Sequence, residues 1–181
     1  MNLQSTFTVR RIVITGVLAA IAILLGVTQL GFIPVPNLSG SATIMHVPAI
    51  IGGVMEGPIV GMLIGGIFGI YSWLQDTTGL FKNPIVSVIP RLLIGVVAYY
   101  AYAALKKNNE YLALVVAGIA GTLTNTILVV GALVGFSLIP AAVVPTIIPQ
   151  AIAEIVIAAV ITVAVVAAWK RLETGRGGSS V

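Results

Sequence analysis

Two ionisable side chains, Arg91 and Glu154, interrupt long apolar segments of the sequence. On insertion scales, a charged side chain at the centre of a membrane helix costs about 2.5–3.5 kcal/mol, so each of these residues predicts a site. The guanidinium of Arg91 offers a two-pronged donor to a carboxylate. Gln150 precedes Glu154 by four residues, which places both on one face of a helix. These residues favour the binding of a small polar molecule inside an apolar bundle.

The depth of the polar residues follows from the predicted helix ends and a rise of about 1.5 Å per residue. Arg91 lies about 10 Å and Gln150 about 12 Å from the outer ends of their helices. Asn125 and Glu154 lie about 16 Å and 18 Å from the outer ends of theirs. All four side chains are therefore expected in the outer half of the membrane, on three different helices.

An aromatic residue and a histidine complete the candidate set. Trp73, near an outer helix end, either stacks on a substrate or belongs to the interfacial aromatic belt. His46 is expected at the outer start of a short helix, close to the interface. The predicted substrate-binding residues are Arg91, Asn125, Gln150, Glu154, Trp73 and His46.

Structural roles are the alternatives at two of these positions. Arg91 and Glu154 could pair with each other, because buried ions in membranes are usually paired. Asn125, flanked by Thr124 and Thr126, could form interhelical hydrogen bonds of the kind that hold membrane helices together.

The composition indicates that these residues lie on membrane helices. The chain has 181 residues, of which 59% are hydrophobic and 8% are charged. An ordinary soluble domain is about 45–50% apolar and about 25% charged, so a soluble globule is excluded. The chain contains no cysteine, which excludes a disulfide scaffold and leaves the redox compartment unspecified.

The turn and charge signals divide the chain into six apolar segments. The predicted helices cover residues 9–30, 43–55, 58–75, 84–105, 111–136 and about 141–171. The second is short for a membrane span, which needs about 20 residues. We therefore predict an all-α membrane protein with six transmembrane helices and a short second helix. Residues 1–172 form one membrane domain in this prediction, and residues 173–181 form a flexible tail.

The basic residues orient this bundle. Arg10 and Arg11 precede the first helix, Lys106 and Lys107 follow the fourth, and further basic residues follow the sixth. Basic residues favour the cytoplasmic side, and with six spans all of these positions share one face. Both termini are therefore predicted to be cytoplasmic. The first apolar run is too long for the core of a signal peptide, so we expect it to remain as a helix.

Small residues at four-residue spacing mark two helices. In the third helix, residues 57, 61, 65 and 69 are all glycine, which predicts close internal packing. In the first helix, Gly16, Ala20, Ala22 and Gly26 form a small-residue face. This face suits either internal packing or docking to a second membrane protein, and we take it as the predicted partner-docking strip.

Several kinds of chemistry have no motif in the sequence. It contains no Walker A loop, dinucleotide fingerprint, metal-spaced His or Cys cluster, or nucleophile elbow. We therefore expect neither an enzyme nor a bound cofactor or metal, and no ATPase activity of its own. A partner must then supply the energy if the protein concentrates a substrate.

Together these segments resemble the substrate-binding (S) subunits of energy-coupling factor transporters, which capture vitamins in prokaryotes. The resemblance covers nearly the whole chain. It is carried by residues 46–58 with the glycines of the third helix, by residues 83–95, and by residues 121–126. In that family, small residues on the first helix meet the coupling subunit.

The resemblance implies a transporter subunit in the plasma (inner) membrane of a prokaryote. It implies a vitamin-sized ligand near the outer face, covered by the first and third outer loops. It also implies a transmembrane coupling subunit and two ATPase subunits as partners. Overall similarity favours pantothenate-type members, while folate, other vitamins or a precursor remain open. A structural membrane subunit without a ligand is the alternative.

Overall fold

Six α-helices and a short hairpin make up the part of the chain that the computed structural model describes, residues 8–34 and 41–176. The helices are α1 (Val9–Val27), α2 (Val47–Glu56), α3 (Pro58–Leu74), α4 (Pro84–Leu105), α5 (Glu110–Gly135) and α6 (Val144–Arg176). The antiparallel hairpin pairs β1 (Phe32–Pro34) with β2 (Ser41–Thr43). A 3₁₀ turn, Ala141–Val143, leads into α6.

Local sequence chemistry sets most of the helix starts. Pro58 and Pro84 open α3 and α4, because proline lacks only an N–H that the first turn would leave unpaired anyway. The side chain of Asn83 accepts a hydrogen bond from the Ile85 amide, and that of Asn109 accepts one from the Leu112 amide. These N-caps satisfy donors that a helix start leaves free. The predicted helix over residues 84–105 is therefore observed with the same bounds.

Two predicted segments differ from the structure. The segment between the first two predicted helices contains β1 and β2, which the sequence did not predict, and residues 35–40 lie outside the described part of the chain. The predicted tail begins inside a helix, because α6 continues to Arg176, and residues 177–181 again lie outside the description.

Four segments of the described chain are long and apolar enough to cross a membrane. They are α1, α4, α5 and the segment Ala141–Leu172. The helices α2 and α3 are apolar but have only 10 and 17 residues. The all-helical architecture with a short second helix is thus observed, whereas the count of six spans stays a prediction.

Three helices meet at a point where none of them carries a side chain. A Cβ added at Gly61 of α3 would lie 2.8 Å from the Cα atoms of both Gly53 in α2 and Gly95 in α4. A Cβ at Gly95 would lie 2.7 Å from the Ala49 carbonyl oxygen. Real Cβ atoms do not approach so closely, so the three backbones are in direct contact. We call Gly53, Gly61 and Gly95 the glycine crossing.

The rest of the glycine row on α3 also packs inward. A Cβ at Gly69 would lie 2.9 Å from the Cα of Val88, and one at Gly65 would collide with the Arg91 carbonyl oxygen. Internal packing is therefore confirmed for Gly65 and Gly69, as for Gly61. Gly57 has a different role, because its φ of 103° makes the turn from α2 to α3.

Most of the charged side chains of the described residues lie at one end of the bundle, where α1 and α5 begin and α2, α4 and α6 approach their ends. Glu56 pairs there with Arg10, at 2.9 Å, and with Arg11, at 3.6 Å. At the same end, Lys170 donates to Glu110 and to the Tyr102 hydroxyl. We call this the basic end, and the opposite one the hairpin end.

Candidate ligand-binding site

The connection between β2 and α2 carries residues that form polar contacts with α5 and with α6. The backbone N–H of Thr43 donates to Oε1 of Glu154 at 2.7 Å. The side-chain amide of Gln150, one turn earlier on α6, donates to the same oxygen at 3.0 Å. Glu154 is 4% exposed, so its carboxylate joins the hairpin to α6 inside the protein.

His46 lies at the start of α2 and is fully buried. Its Nε2 lies 2.9 Å from the hydroxyl oxygen of Thr122 on α5. The Thr122 hydroxyl also lies 2.8 Å from the Gly118 carbonyl oxygen one turn earlier. The predicted place of His46 at the start of the short second helix is therefore observed, but its side chain is buried inside the protein. The short connection from the hairpin carries it between the helices.

Asn125 lies one turn beyond Thr122 along α5, on the same face of the helix. It is buried, and its Oδ1 has no hydrogen-bond partner among the described residues. The Nδ1 of His46 is likewise unpaired there. Leaving such buried polar atoms without a partner costs about 1–3 kcal/mol each, so the contact between α2 and α5 has two hydrogen-bond acceptors that the described residues do not satisfy.

Arg91 is positioned by the proline that precedes it. Pro90 lies within α4 and has no N–H to give to the Val86 carbonyl four residues earlier. Nη1 of Arg91 donates to that carbonyl oxygen at 2.8 Å. One of the five N–H groups of the guanidinium thus replaces the donor that Pro90 lacks.

Two aromatic rings enclose the Arg91 guanidinium. Its Cζ lies 5.6 Å from the centroid of Phe68 on α3 and 4.9 Å from that of Phe81 in the connection to α4. Arg91 is 5% exposed, and its Nε has no partner among the described residues. In that part of the chain Arg91 forms no ion pair, so the alternative pairing with Glu154 is not formed. Glu154 binds an amide of the hairpin instead.

The connection between α3 and α4 is held by a single carboxylate. Asp76 accepts hydrogen bonds from the Thr78 amide and hydroxyl, at 2.9 and 2.7 Å, and from the Phe81 amide at 3.0 Å. Burial alone would raise the pKa of Asp76, but the hydrogen bonds from Thr78, Phe81 and Gly79 outweigh it and lower the pKa. The charged carboxylate therefore fixes Phe81, the ring nearest to Arg91.

Trp73 closes the same connection from outside. Its indole N–H donates to the Lys82 carbonyl oxygen at 2.9 Å, and 40% of the residue is exposed. Trp73 therefore joins the end of α3 to the start of α4, and Phe81 rather than Trp73 lies against the Arg91 guanidinium.

The predicted site residues thus fall into two groups. Gln150, Glu154 and His46 are linked through the β2–α2 connection, and Asn125 lies on the helix face that carries Thr122. Arg91 belongs to the second group, with Phe68 and Phe81. Sequence reasoning missed Thr122, Phe68 and Phe81 as contacts of these residues. The three-residue spacing from Asn125 was a signal for Thr122, whereas nothing local marked the two phenylalanines.

The small residues of α1 do not form one face. Gly16 and Ala20 are exposed, whereas Ala22 and Gly26 are buried. A Cβ at Gly26 would lie 2.6 Å from the Met45 methyl group. Ala22 follows Gly16 by six positions, which places the two on different sides of a helix of about 3.6 residues per turn. The prediction of one exposed strip is therefore wrong, because of its four residues Gly16 and Ala20 alone are exposed; docking to a partner stays a prediction.

Comparison with known proteins identifies a family that this chain matches. Residues 10–166 match the family described as "ECF transporter, substrate-specific component". The pantothenic acid transporter PanT of Lactococcus lactis subsp. cremoris (strain MG1363) is 31% identical to this chain over 107 residues. That match covers 48% of this chain and 53% of the PanT protein, so the chain spans about half the length of this curated relative.

Proposed function

Because this chain belongs to the family of ECF transporter substrate-specific components, we propose that it captures a vitamin or vitamin precursor, with pantothenate as its ligand. The family is one of transport components rather than enzymes. The similarity to a pantothenic acid transporter supports the choice of ligand. In this proposal the chain forms one six-span domain in the plasma (inner) membrane of a prokaryote, with both termini in the cytoplasm.

The observation that carries the proposed ligand is the state of Arg91. A buried guanidinium needs a partner for its charge, and the described residues give it two aromatic rings and one carbonyl oxygen. A carboxylate is the group that a guanidinium binds best. Pantothenate carries a carboxylate at one end, and its binding would complete the partners of Arg91.

The decisive experiment compares pantothenate with its primary amide, in which the carboxylate is replaced by an uncharged group. Calorimetric titration of the purified protein should show tighter binding of the acid. A hydrogen bond to a charged group contributes about 1.5–3 kcal/mol, so the acid should bind about 10- to 150-fold more tightly. Arg91→Ala should abolish this preference, whereas Arg171→Ala, at the basic end, should retain it.

The outcomes separate the candidate functions. An equal preference for acid and amide in the native protein would contradict the role of Arg91. Binding of folate or another vitamin, with no binding of pantothenate, would support the function as a substrate-specific component but contradict the proposed ligand. Failure to bind any member of a vitamin panel would favour a structural subunit.

Uptake is proposed to depend on a transmembrane coupling subunit and two ATPase subunits, which dock on the accessible side of α1. Ala20 is exposed and Ala22 is fully buried, so the two alanines form a matched pair. Ala20→Trp should preserve pantothenate binding but abolish uptake and co-purification with the partners. Ala22→Trp should instead prevent folding. Normal uptake by Ala20→Trp would exclude this docking side.

The orientation can be tested independently. All basic clusters lie at one end of the bundle, which favours placing that end in the cytoplasm. A single cysteine at Asn108 should resist an impermeant thiol reagent in intact cells, while one at Thr77 should be labelled. The opposite labelling pattern would invert the proposed topology.

A further inference from the structure

His46 is the single histidine of the chain and has one hydrogen-bond partner among the described residues. It is fully buried, and Nδ1 is unpaired in that part of the chain. A buried imidazole without an acidic partner is more stable when neutral than when charged. One of its nitrogens therefore carries a proton and the other a lone pair.

The Thr122 hydroxyl determines which nitrogen carries the proton. This hydroxyl has one hydrogen, and the Gly118 carbonyl oxygen at 2.8 Å can only accept it. The Thr122 oxygen must then act as the acceptor toward Nε2 of His46, 2.9 Å away. Nε2 is therefore protonated, and Nδ1 presents a bare lone pair.

We propose that Nδ1 of His46 accepts a hydrogen bond from a hydroxyl group of the ligand. This inference rests on the proposed function, since it assigns a second contact within the same site. Thr122 is then a positioning residue, because it acts only by selecting the tautomer of His46.

The unpaired atoms also define a polarity for the site. His46 Nδ1 and Asn125 Oδ1 both require donors, whereas Nε of Arg91 requires an acceptor. A ligand with hydroxyl groups at one end and a carboxylate at the other satisfies both requirements. Pantothenate has this arrangement, with two hydroxyls remote from its carboxylate. A purely acceptor-bearing anion would leave the two acceptor atoms without partners.

Nitrogen NMR tests the tautomer and the contact directly, since a single histidine gives an unambiguous spectrum. Protein labelled with ¹⁵N-histidine and purified in nanodiscs should show a protonated Nε2 and an unprotonated Nδ1. Saturation with pantothenate should move the Nδ1 resonance toward the protonated value while Nε2 changes little. A protonated Nδ1 in the ligand-free protein, or a Nδ1 resonance that pantothenate leaves unchanged, would overturn the inference.

Binding of deoxy analogues tests the same contact by affinity. One of the two monodeoxy pantothenates lacks the hydroxyl that contacts Nδ1. The native protein should bind this analogue about 5- to 150-fold less tightly than pantothenate, because Nδ1 is left unpaired. In His46→Phe that difference should shrink to about 2-fold or less, because the acceptor is gone. Tyr100→Phe, at an exposed position of α4, should discriminate like the native protein.

A third variant covers the case in which His46→Phe fails to fold. Thr122→Val retains the imidazole but removes the acceptor for Nε2, so the spectrum should show a mixture of tautomers. A spectrum identical to that of the native protein would overturn the role of Thr122. If pantothenate does not bind the native protein, both the proposed ligand and this contact are wrong. If pantothenate binds but does not shift Nδ1, only the contact fails.

Discussion

Glu154 provides the sharpest test of how the hairpin is attached to the helices. Its carboxylate accepts one hydrogen bond from the Thr43 amide and one from Gln150. In Glu154→Ala, the amide of Thr43 loses its partner while it remains near the protein interior. Hydrogen bonds to charged groups contribute about 1.5–3 kcal/mol, so the local opening of this amide should become easier by that amount.

Hydrogen exchange of the Thr43 amide measures this opening directly. A loss of about 1.5–3 kcal/mol corresponds to exchange that is about 10- to 150-fold faster. Glu154→Gln keeps one oxygen as an uncharged acceptor, so its exchange should lie between those of the native protein and Glu154→Ala. Glu110→Ala, a matched substitution at the basic end, should leave the Thr43 amide unchanged.

Two results would refute the reasoning. Native-like exchange at Thr43 in Glu154→Ala would mean that the carboxylate does not hold the hairpin. Equal exchange in the Gln and Ala variants would mean that the side-chain oxygen is not the acceptor. Thermal unfolding of each variant, followed by circular dichroism, distinguishes this local opening from a loss of the whole fold.

Two further predictions concern packing and pH. Gly61→Ala should lower the free energy of unfolding by about 1–3 kcal/mol, because its Cβ would overfill the glycine crossing. Gly131 has open space around it, so Gly131→Ala should leave the free energy of unfolding unchanged or raise it by up to about 1 kcal/mol. Denaturation curves of both variants check this, and equal effects would contradict the crossing. Because the pKa of Asp76 lies below its ordinary value, its carboxylate should stabilise the α3–α4 connection above a pH of about 4. This stabilisation should disappear as the pH falls further. Trp73 fluorescence in a Trp169→Phe background should report that transition, and an Asp76→Ala protein should lack it.

The helices could be predicted because their signals are local. Pro84 and the Asn83 cap begin α4, and the apolar run continues to Leu105 with no break. The family was also predicted from segments that lie within helices, and the match over residues 10–166 confirms it. The hairpin was missed because strands of three residues, such as β1 and β2, are too short to show an alternating pattern.

The sequence selected candidate site residues by their type, but it did not predict their contacts. Buried charge identified Arg91 and Glu154 as important, yet charge complementarity alone suggested the wrong alternative partner for each. The partner of Glu154 is the backbone amide of Thr43, 111 residues away in sequence, and a backbone amide has no sequence signature. Arg91 binds a carbonyl that Pro90 leaves free, which the adjacent proline could have indicated.

The glycine crossing is the point about which α4 would tilt if it moved as a rigid body, because its backbone contacts α2 and α3 there. Gly95 lies about 6 Å along the helix axis from Arg91 and about 10 Å from Tyr102, on opposite sides. A rigid helix that tilts about a fixed point moves its two arms in opposite directions, in proportion to their lengths. A displacement of about 1 Å at Arg91 is therefore matched by about 1.7 Å at Tyr102, in the opposite sense. Because Tyr102 contacts Lys170 and Glu110, such a tilt would connect the surroundings of Arg91 mechanically to the ion pair at the basic end.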